Sequence, residues 1–234
     1  MAISTPKSAY LKGATGALPF LLVVVPFGML FGVVGTEAGL SLAQVMGFST
    51  LVIAGAAQFT AVQLMVDEAP TIVVIVSALA VNLRMAMYAA ALAPYLGPAP
   101  FWQRAIIAYL NVDQTYAMSH QQFEAEPQMP LPARVAFFFG CATPILPMWV
   151  VATYVGAVAG AAIPPEFALD FAVPITFIAL VAPGLRTLAH VAAAATSVIL
   201  ALALGWIPHN LWILAAGIGG MIVGAEVERR GAAQ

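Results

Sequence analysis

Four long stretches of the sequence contain no Asp, Glu, Lys or Arg, and this feature strongly limits what the chain can fold into. They cover residues 13–36, 38–66, 135–165 and 187–225. An α-helix needs about 20 consecutive apolar residues to cross the hydrocarbon core of a bilayer. Each stretch is long enough for one crossing, and the last is long enough for two. The sequence therefore predicts a chain that crosses the membrane several times as helices.

Composition supports the same conclusion. Hydrophobic residues make up 62% of the 234 residues and charged residues only 8%, whereas soluble domains carry about 25% charged residues. A lipid-facing exterior accommodates this excess of apolar side chains, because lipid favours apolar residues outside as well as inside. The net charge of −2 and the absence of a basic tract exclude a nucleic-acid partner.

The predicted fold class is all-α, a polytopic bundle of transmembrane helices that forms a single transporter domain over residues 1–234. Pro and Gly mark many of the breaks between spans. The span over 168–184 is the shortest, and the alternative count is seven spans plus a re-entrant segment there. The eight predicted spans cover roughly 16–36, 42–66, 70–94, 101–122, 135–161, 168–184, 187–204 and 208–226.

The distribution of basic residues predicts the orientation, because cytoplasmic loops are enriched in Lys and Arg. With eight spans and a cytoplasmic N-terminus, only Arg104 lies on the outer side and Arg84 lies within a span. Both termini are then cytoplasmic. The basic residues that this arrangement places in the cytoplasm are Lys7, Lys12, Arg134, Arg186, Arg229 and Arg230.

The chain offers little room for an enzyme. The longest hydrophilic loop, about 123–134, is too short to form a soluble catalytic domain. No metalloprotease, serine-hydrolase or phosphate-binding motif occurs, and Cys and His are not spaced as metal ligands. We therefore predict no catalytic residue, no metal and no cofactor, and any activity must reside among the helices.

Two charged residues fall in the middle of predicted spans. Arg84 and Asp113 have opposite signs and lie on consecutive helices. A charge at the centre of a membrane helix costs about 2.5–3.5 kcal/mol on insertion scales, so it normally has a partner or a task. One interpretation is a structural ion pair that locks two helices. The interpretation we favour is contact with a solute or a proton, with Asp113 as the candidate proton-coupling residue.

Further polar residues accompany these charges. Tyr88 lies four residues after Arg84 and shares its helix face. A second helix face is predicted from residues spaced by four, three and four positions, which form a stripe: Tyr109, Asp113, Tyr116 and His120. The residues predicted to bind substrate are Gln58, Asn82, Arg84, Tyr88, Asn111, Asp113 and Gln114.

Small residues and prolines predict where helices pack closely or lose regularity. Gly55 and two alanines precede Gln58 and permit either a close backbone approach or a local unwinding, which would present backbone groups to a substrate. The alternative role for Gln58 is hydrogen bonding between helices. Pro26 should kink the first span. Pairs of glycines four residues apart predict close helix packing, and the first two pairs suggest a weak internal repeat. The pairs are Gly28 with Gly32, Gly156 with Gly160, and Gly220 with Gly224.

Taken in order, several motifs resemble the AzlC family, also called the LIV-E or YgaZ type, which forms the large subunit of branched-chain amino acid exporters. The resemblance covers about residues 13–183. The motifs are Pro26-Phe27-Gly28-xx-Phe31-Gly32, Gly39-Leu40-Ser41, Gly55-Ala56-Ala57-Gln58-Phe59, Asn82-Leu83-Arg84-xxx-Tyr88, Asp113-Gln114-Thr115-Tyr116 and Leu169-Asp170-Phe171-Ala172-xx-Pro174-xx-Phe177.

The resemblance implies export of leucine, isoleucine, valine and often methionine across the cytoplasmic (inner) membrane, driven by the proton gradient. It also implies a small AzlD-type membrane subunit as partner. One alternative is transport of another small zwitterion or of an organic acid. The other is a membrane scaffold that transports nothing. Homo-oligomerisation is left open.

Overall fold

The computed structural model describes residues 5–160, 185, 187–207 and 211–232. All regular secondary structure in these residues is helical, as the fold-class prediction requires. The α-helices are α1 (Pro6–Ala17), α2 (Leu21–Glu37), α3 (Leu42–Leu51), α4 (Gly55–Val66), α5 (Thr71–Leu96), α6 (Phe101–Tyr109), α7 (Asp113–Ala125), α8 (Leu131–Gly160), α9 (Leu188–Leu204) and α10 (Leu211–Ala232), with a 3-10 turn at Leu18–Phe20 between α1 and α2.

Three helical segments of the described chain are long and apolar enough to cross a membrane: Pro6–Glu37, Thr71–Leu96 and Leu131–Gly160. Many large apolar side chains stand exposed on the protein surface, including Leu22 at 81% and Met87 at 71%. An exterior of this kind fits contact with lipid. The protein is therefore a helical membrane bundle, as predicted. The count of eight spans stays a prediction, because the span at 168–184 lies outside the described residues.

Two of the predicted spans are discontinuous. The span predicted over 42–66 is divided into α3 and α4 by three non-helical residues, 52–54. The span predicted over 101–122 is divided into α6 and α7 at residues 110–112. The first break matches the unwinding expected before Gln58. The second break was not indicated by the sequence, and it is stabilised by hydrogen bonds between the Thr115 side chain and the backbone of Leu110 and Val112.

The helical structure also begins earlier than the first predicted span. Thr5 caps α1, its hydroxyl accepting a hydrogen bond from the Ser8 N–H at 3.2 Å. Pro6 occupies the first helical position, where its missing N–H is not needed. The inner prolines, Pro26 of α2 and the pair Pro144 and Pro147 of α8, do not end their helices.

The chain divides into two compact units, one comprising Met1–Phe59 and Leu79–Ala168 and the other Thr60–Ala78 and Leu169–Gln234. The prediction of a single transporter domain is not tested by this division.

In the first unit, α1 and α2 pack along α8 through glycines. A Cβ on Gly32 would collide with the backbone of Thr153 and Ala157. A Cβ on Gly156 would collide with the backbone of Met29. The two glycine pairs that suggested an internal repeat, on α2 and α8, thus face each other. Close packing at Gly28, Gly32, Gly156 and Gly160 is confirmed.

In the second unit, α9 and α10 pack in the same way. A Cβ on Gly220 would collide with Ser197 and lie 2.8 Å from the Ala193 carbonyl oxygen. A Cβ on Gly224 would lie 2.9 Å from the Ala193 Cβ. Ser197 adds a 3.1 Å hydrogen bond to the carbonyl of Ala216. All three glycine pairs singled out from the sequence are therefore occupied within the chain.

Candidate functional site

The two charges that were predicted to lie within spans contact each other. The Nη1 atom of Arg84 on α5 lies 3.0 Å from Oδ2 of Asp113 on α7. Their side chains are 32% and 42% exposed on the surface of the chain. The ion pair is therefore formed, and part of each side chain remains exposed at the surface of the chain.

Asp113 owes its position to the break before α7. It is the first residue of α7 and the acidic residue of its first turn, where the helix dipole favours a negative charge. The fully buried Thr115 stabilises the break. Its hydroxyl oxygen accepts a hydrogen bond from the Val112 N–H at 2.9 Å. The same oxygen lies within donating distance of two carbonyl oxygens, that of Leu110 at 3.0 Å and that of Val112 at 2.9 Å. These bonds satisfy backbone groups that the interrupted helix leaves free.

The ion pair uses only part of the hydrogen-bonding capacity of its two groups. Within the described chain, Nε of Arg84 and Oδ1 of Asp113 are buried and have no hydrogen-bond partner. The amide oxygens of Asn82 and Asn111 are in the same condition. Buried polar atoms are rarely left without a partner, so each of these four atoms is a candidate contact for a polar ligand or water.

Aromatic rings continue from the ion pair along α5 and α7. Tyr88 lies close to the Asp113 carboxylate, and its ring stacks on that of Tyr116 with centroids 4.2 Å apart and planes 8° apart. The ring of His120 follows at 5.4 Å from Tyr116. The predicted stripe is therefore correct from Asp113 onward. It is wrong for Tyr109, because the break changes the helical phase, and the hydroxyl of Tyr109 donates to the Thr50 carbonyl of α3.

Gln58 serves the other break. The residue is fully buried, and its Nε2 donates to the Phe48 carbonyl at 2.9 Å and to the Val52 carbonyl. These carbonyls belong to the end of α3, where the helix leaves them without backbone partners. The amide nitrogen therefore has a structural task, whereas Oε1 has no partner within the described chain. Substrate binding by Gln58 stays a prediction that now concerns this oxygen.

An aromatic cluster surrounds the start of α4. The ring of Phe27 lies 5.0 Å from Phe59 and 5.8 Å from Trp149. A Cβ on Gly55 would lie 3.1 Å from the Trp149 ring and closer still to Phe27, so only glycine fits here without displacing a ring. Because Tyr109 bonds to Thr50, the ends of α3 and α6 lie together, and the breaks that follow them are neighbours.

The structure thus brings Arg84, Tyr88 and Asp113 together, while Gln58 lies at the α3–α4 break. Gln114 is half-buried at the second position of α7. Tyr116, which stacks on Tyr88, was not predicted as part of the site. The sequence indicated its position only through its spacing of three residues from Asp113, which places the two residues on one helix face. In the described part of the chain, no three side chains that bind metals lie together.

Comparison with known proteins gives one family and one relative. The family model described as AzlC protein matches residues 19–163. A protein of Archaeoglobus fulgidus named "Uncharacterized membrane protein" is 27% identical over 226 residues, which is 94% of this chain and 96% of the relative. No solved structure matches the chain.

Proposed function

The chain belongs to the AzlC family, and on this premise we propose that it is a secondary transporter that exports branched-chain and other hydrophobic amino acids. The family is associated with membrane transport, and the chain is a helical membrane protein. The proposed substrates are leucine, isoleucine, valine and methionine. Export is coupled to the proton gradient and involves no covalent step and no cofactor.

One observation carries this proposal: the ion pair of Arg84 and Asp113 is only partly buried, and it leaves Nε and Oδ1 without hydrogen-bond partners in the described chain. A zwitterionic amino acid brings a carboxylate and an ammonium, and both need partners once water is removed. The guanidinium of Arg84 binds a carboxylate in a bidentate manner, for which its free Nε is available. Asp113 receives the ammonium through its free Oδ1. Substrate binding thus replaces one salt bridge with two, and release restores the first.

Other polar residues complete the proposed binding groups. The amide oxygens of Asn82 and Asn111 accept hydrogen bonds, which suits an ammonium rather than a second carboxylate. Tyr88 adds a hydroxyl beside Asp113. Gln58 and Gln114 extend the set, Gln58 from the α3–α4 break. Asp113 is the proposed site of the coupling proton.

The same arrangement argues against the alternatives. An organic acid pairs with Arg84 but faces repulsion from Asp113, so a zwitterion fits better. A membrane scaffold would not need these charges, because buried polar atoms without hydrogen-bond partners destabilise the folded protein.

The small AzlD-type partner remains part of the proposal through the family. The glycine pairs do not support it, because all three are occupied within the chain. A partner must therefore bind elsewhere, and the exposed apolar surface of the helices offers that area.

We also propose an inner-membrane location with both termini in the cytoplasm, on the basis of the Lys and Arg distribution. Reporter fusions at residues 1 and 234 measure this directly. Both should report the cytoplasm, and opposite sides would overturn the even span count.

Uptake of labelled leucine into inverted membrane vesicles tests the function. We expect uptake driven by an acidic lumen, because an exporter moves substrate inward in this geometry. Excess isoleucine, valine or methionine should compete, and a dicarboxylic acid should not. The assay is run with and without the co-expressed small partner. Absence of uptake under both conditions, with the protein inserted, would overturn the proposal, and competition by the dicarboxylic acid alone would favour the organic-acid alternative.

A further inference from the structure

The face of α7 that carries Asp113 continues with titratable residues to the end of the helix. Tyr116, His120 and Glu124 follow Asp113 at spacings of three, four and four residues, which places all four on one face. At 1.5 Å per residue, this face extends over about 16 Å from the ion pair. Glu124 is exposed, with 61% of its side chain accessible.

The contacts along this face leave no long gap. Tyr88 lies beside Asp113 and stacks on Tyr116 at 4.2 Å. The Tyr116 and His120 rings are 5.4 Å apart. Nδ1 of His120 lies 3.4 Å from Oε2 of Glu124. The rings of Tyr88, Tyr116 and His120 thus lie side by side, and water can bridge the polar atoms of neighbouring residues.

We propose that His120 and Glu124 carry the coupling protons between Asp113 and the membrane surface next to the loop that follows α7. This inference rests on the proposed proton-coupled transport and adds the route. An imidazole gains and loses a proton near neutral pH and uses different nitrogens for the two steps. The exposed carboxylate of Glu124 exchanges protons with bulk water.

The transfer is balanced in protons. Asp113 gives up its proton when substrate ammonium needs the carboxylate. The hydroxyls of Tyr88 and Tyr116 each accept one proton and release one. The neutral imidazole of His120 takes the proton and becomes imidazolium, and it passes the proton to Glu124 and then to water. In the proposed topology this surface is cytoplasmic, so protons enter the cell here as substrate leaves.

The surroundings of His120 set its electrostatics. On its own helix it faces Glu124 and Tyr116. Tyr95 of α5 approaches edge-on at 6.1 Å. The remaining charges nearby are engaged elsewhere: Arg134 of α8 lies over the Tyr95 ring at 5.4 Å and bonds to the Pro127 carbonyl, and Lys12 of α1 pairs with Glu126 at 3.4 Å.

The test compares two modes of transport in vesicles. Uptake driven by a pH gradient requires proton movement, whereas exchange of labelled for unlabelled leucine does not. We expect His120→Gln to lower gradient-driven uptake at least about tenfold, as for loss of a positioned proton carrier, and to leave exchange within about twofold of wild type. Glu124→Gln should act in the same direction with a smaller effect. His190→Gln, the same change at an exposed position of α9, is the matched control and should change neither mode.

Several outcomes would overturn the route. Equal loss of both modes in His120→Gln would make His120 a structural residue, and His120→Glu, which restores a titratable group, would then fail to recover gradient-driven uptake. Undiminished gradient-driven uptake in His120→Gln would exclude it as a carrier. Wild-type exchange that ignores the pH gradient would remove the coupling itself. If wild type shows neither mode, the proposed function fails rather than the route alone.

Discussion

The double variant Arg84→Met/Asp113→Leu should insert and fold yet transport no leucine. Each single variant removes one group that the substrate needs, and the double variant removes both. A hydrogen bond to a charged group contributes about 1.5–3 kcal/mol, and about 1.4 kcal/mol corresponds to a tenfold change. We therefore expect each single variant to lower transport at least about tenfold, and the double variant to be no better than either.

A purely structural ion pair gives the opposite result. Breaking such a pair leaves one uncompensated charge, whereas replacing both members with apolar residues is often neutral or stabilising. Transport would then return in the double variant. Thermal unfolding in detergent serves as the folding control. Arg104→Met, the same substitution at an exposed position of α6, controls for loss of a positive charge. Substantial leucine export by the double variant would refute the assignment.

A further variant refines the role of Arg84. Lysine keeps the charge but not the planar fork that binds a carboxylate through two hydrogen bonds. If Arg84 holds the substrate carboxylate, Arg84→Lys should retain part of the activity with weaker substrate affinity, whereas Arg84→Met should not.

Several features of this fold could be predicted from the sequence, because they follow from the requirements of the surrounding lipid. Lipid requires long apolar helices, and the helices at 71–96, 188–204 and 131–160 lie close to the predicted spans at 70–94, 187–204 and 135–161. The glycine pairs also gave a correct prediction, since spacing by four residues places them on one face of a helix. What this pattern lacks is the identity of the facing helix. Gly28 and Gly156 are far apart in sequence, and only the structure shows that they share one interface.

The breaks show a different limit. The small residues around Gly55 allowed for a local unwinding or a close approach, and both are found: the helix is interrupted at residues 52–54, and Gly55 packs tightly against Phe27. The second separates the apolar α6 from the more polar α7, and no Pro or Gly marks it. Its cause is Thr115, whose hydroxyl substitutes for missing backbone partners. Side-chain bonds of this kind depend on rotamer and local geometry, which periodicity does not encode.

The candidate site was predictable in its members and not in its bonding. Arg84 and Asp113 stand out because the bilayer penalises charge. That Nε and Oδ1 remain without partners in the described chain depends on side-chain geometry, which the sequence does not show. The same applies to Gln58, whose amide nitrogen is engaged by α3 carbonyls rather than free for substrate.

The largest effect on stability is expected for Gly156→Leu. A side chain at this position meets the backbone of Met29 on α2, which cannot rotate away as a flexible side chain can. The helices must then separate, and the neighbouring contacts at Gly32 and Gly160 are lost with them. Overpacking in a core lowers the free energy of unfolding by about 1–3 kcal/mol even when neighbouring side chains can move aside. A collision with backbone should therefore lower it by at least about 3 kcal/mol. We expect the variant to unfold at a markedly lower temperature in detergent or to fail to accumulate in the membrane.

The matched control is Gly217→Leu on α10. A Cβ there meets nothing within 4 Å, and leucine has a higher helix propensity than glycine. This variant should therefore unfold at or above the wild-type temperature. Gly156→Ala provides a graded test, because its single methyl group already reaches the Met29 backbone and should destabilise the protein, though less than leucine. If Gly156→Leu unfolds at the same temperature as Gly217→Leu, then α2 and α8 are not in the close contact that the glycines require, and the packing of the first unit is different from the one described.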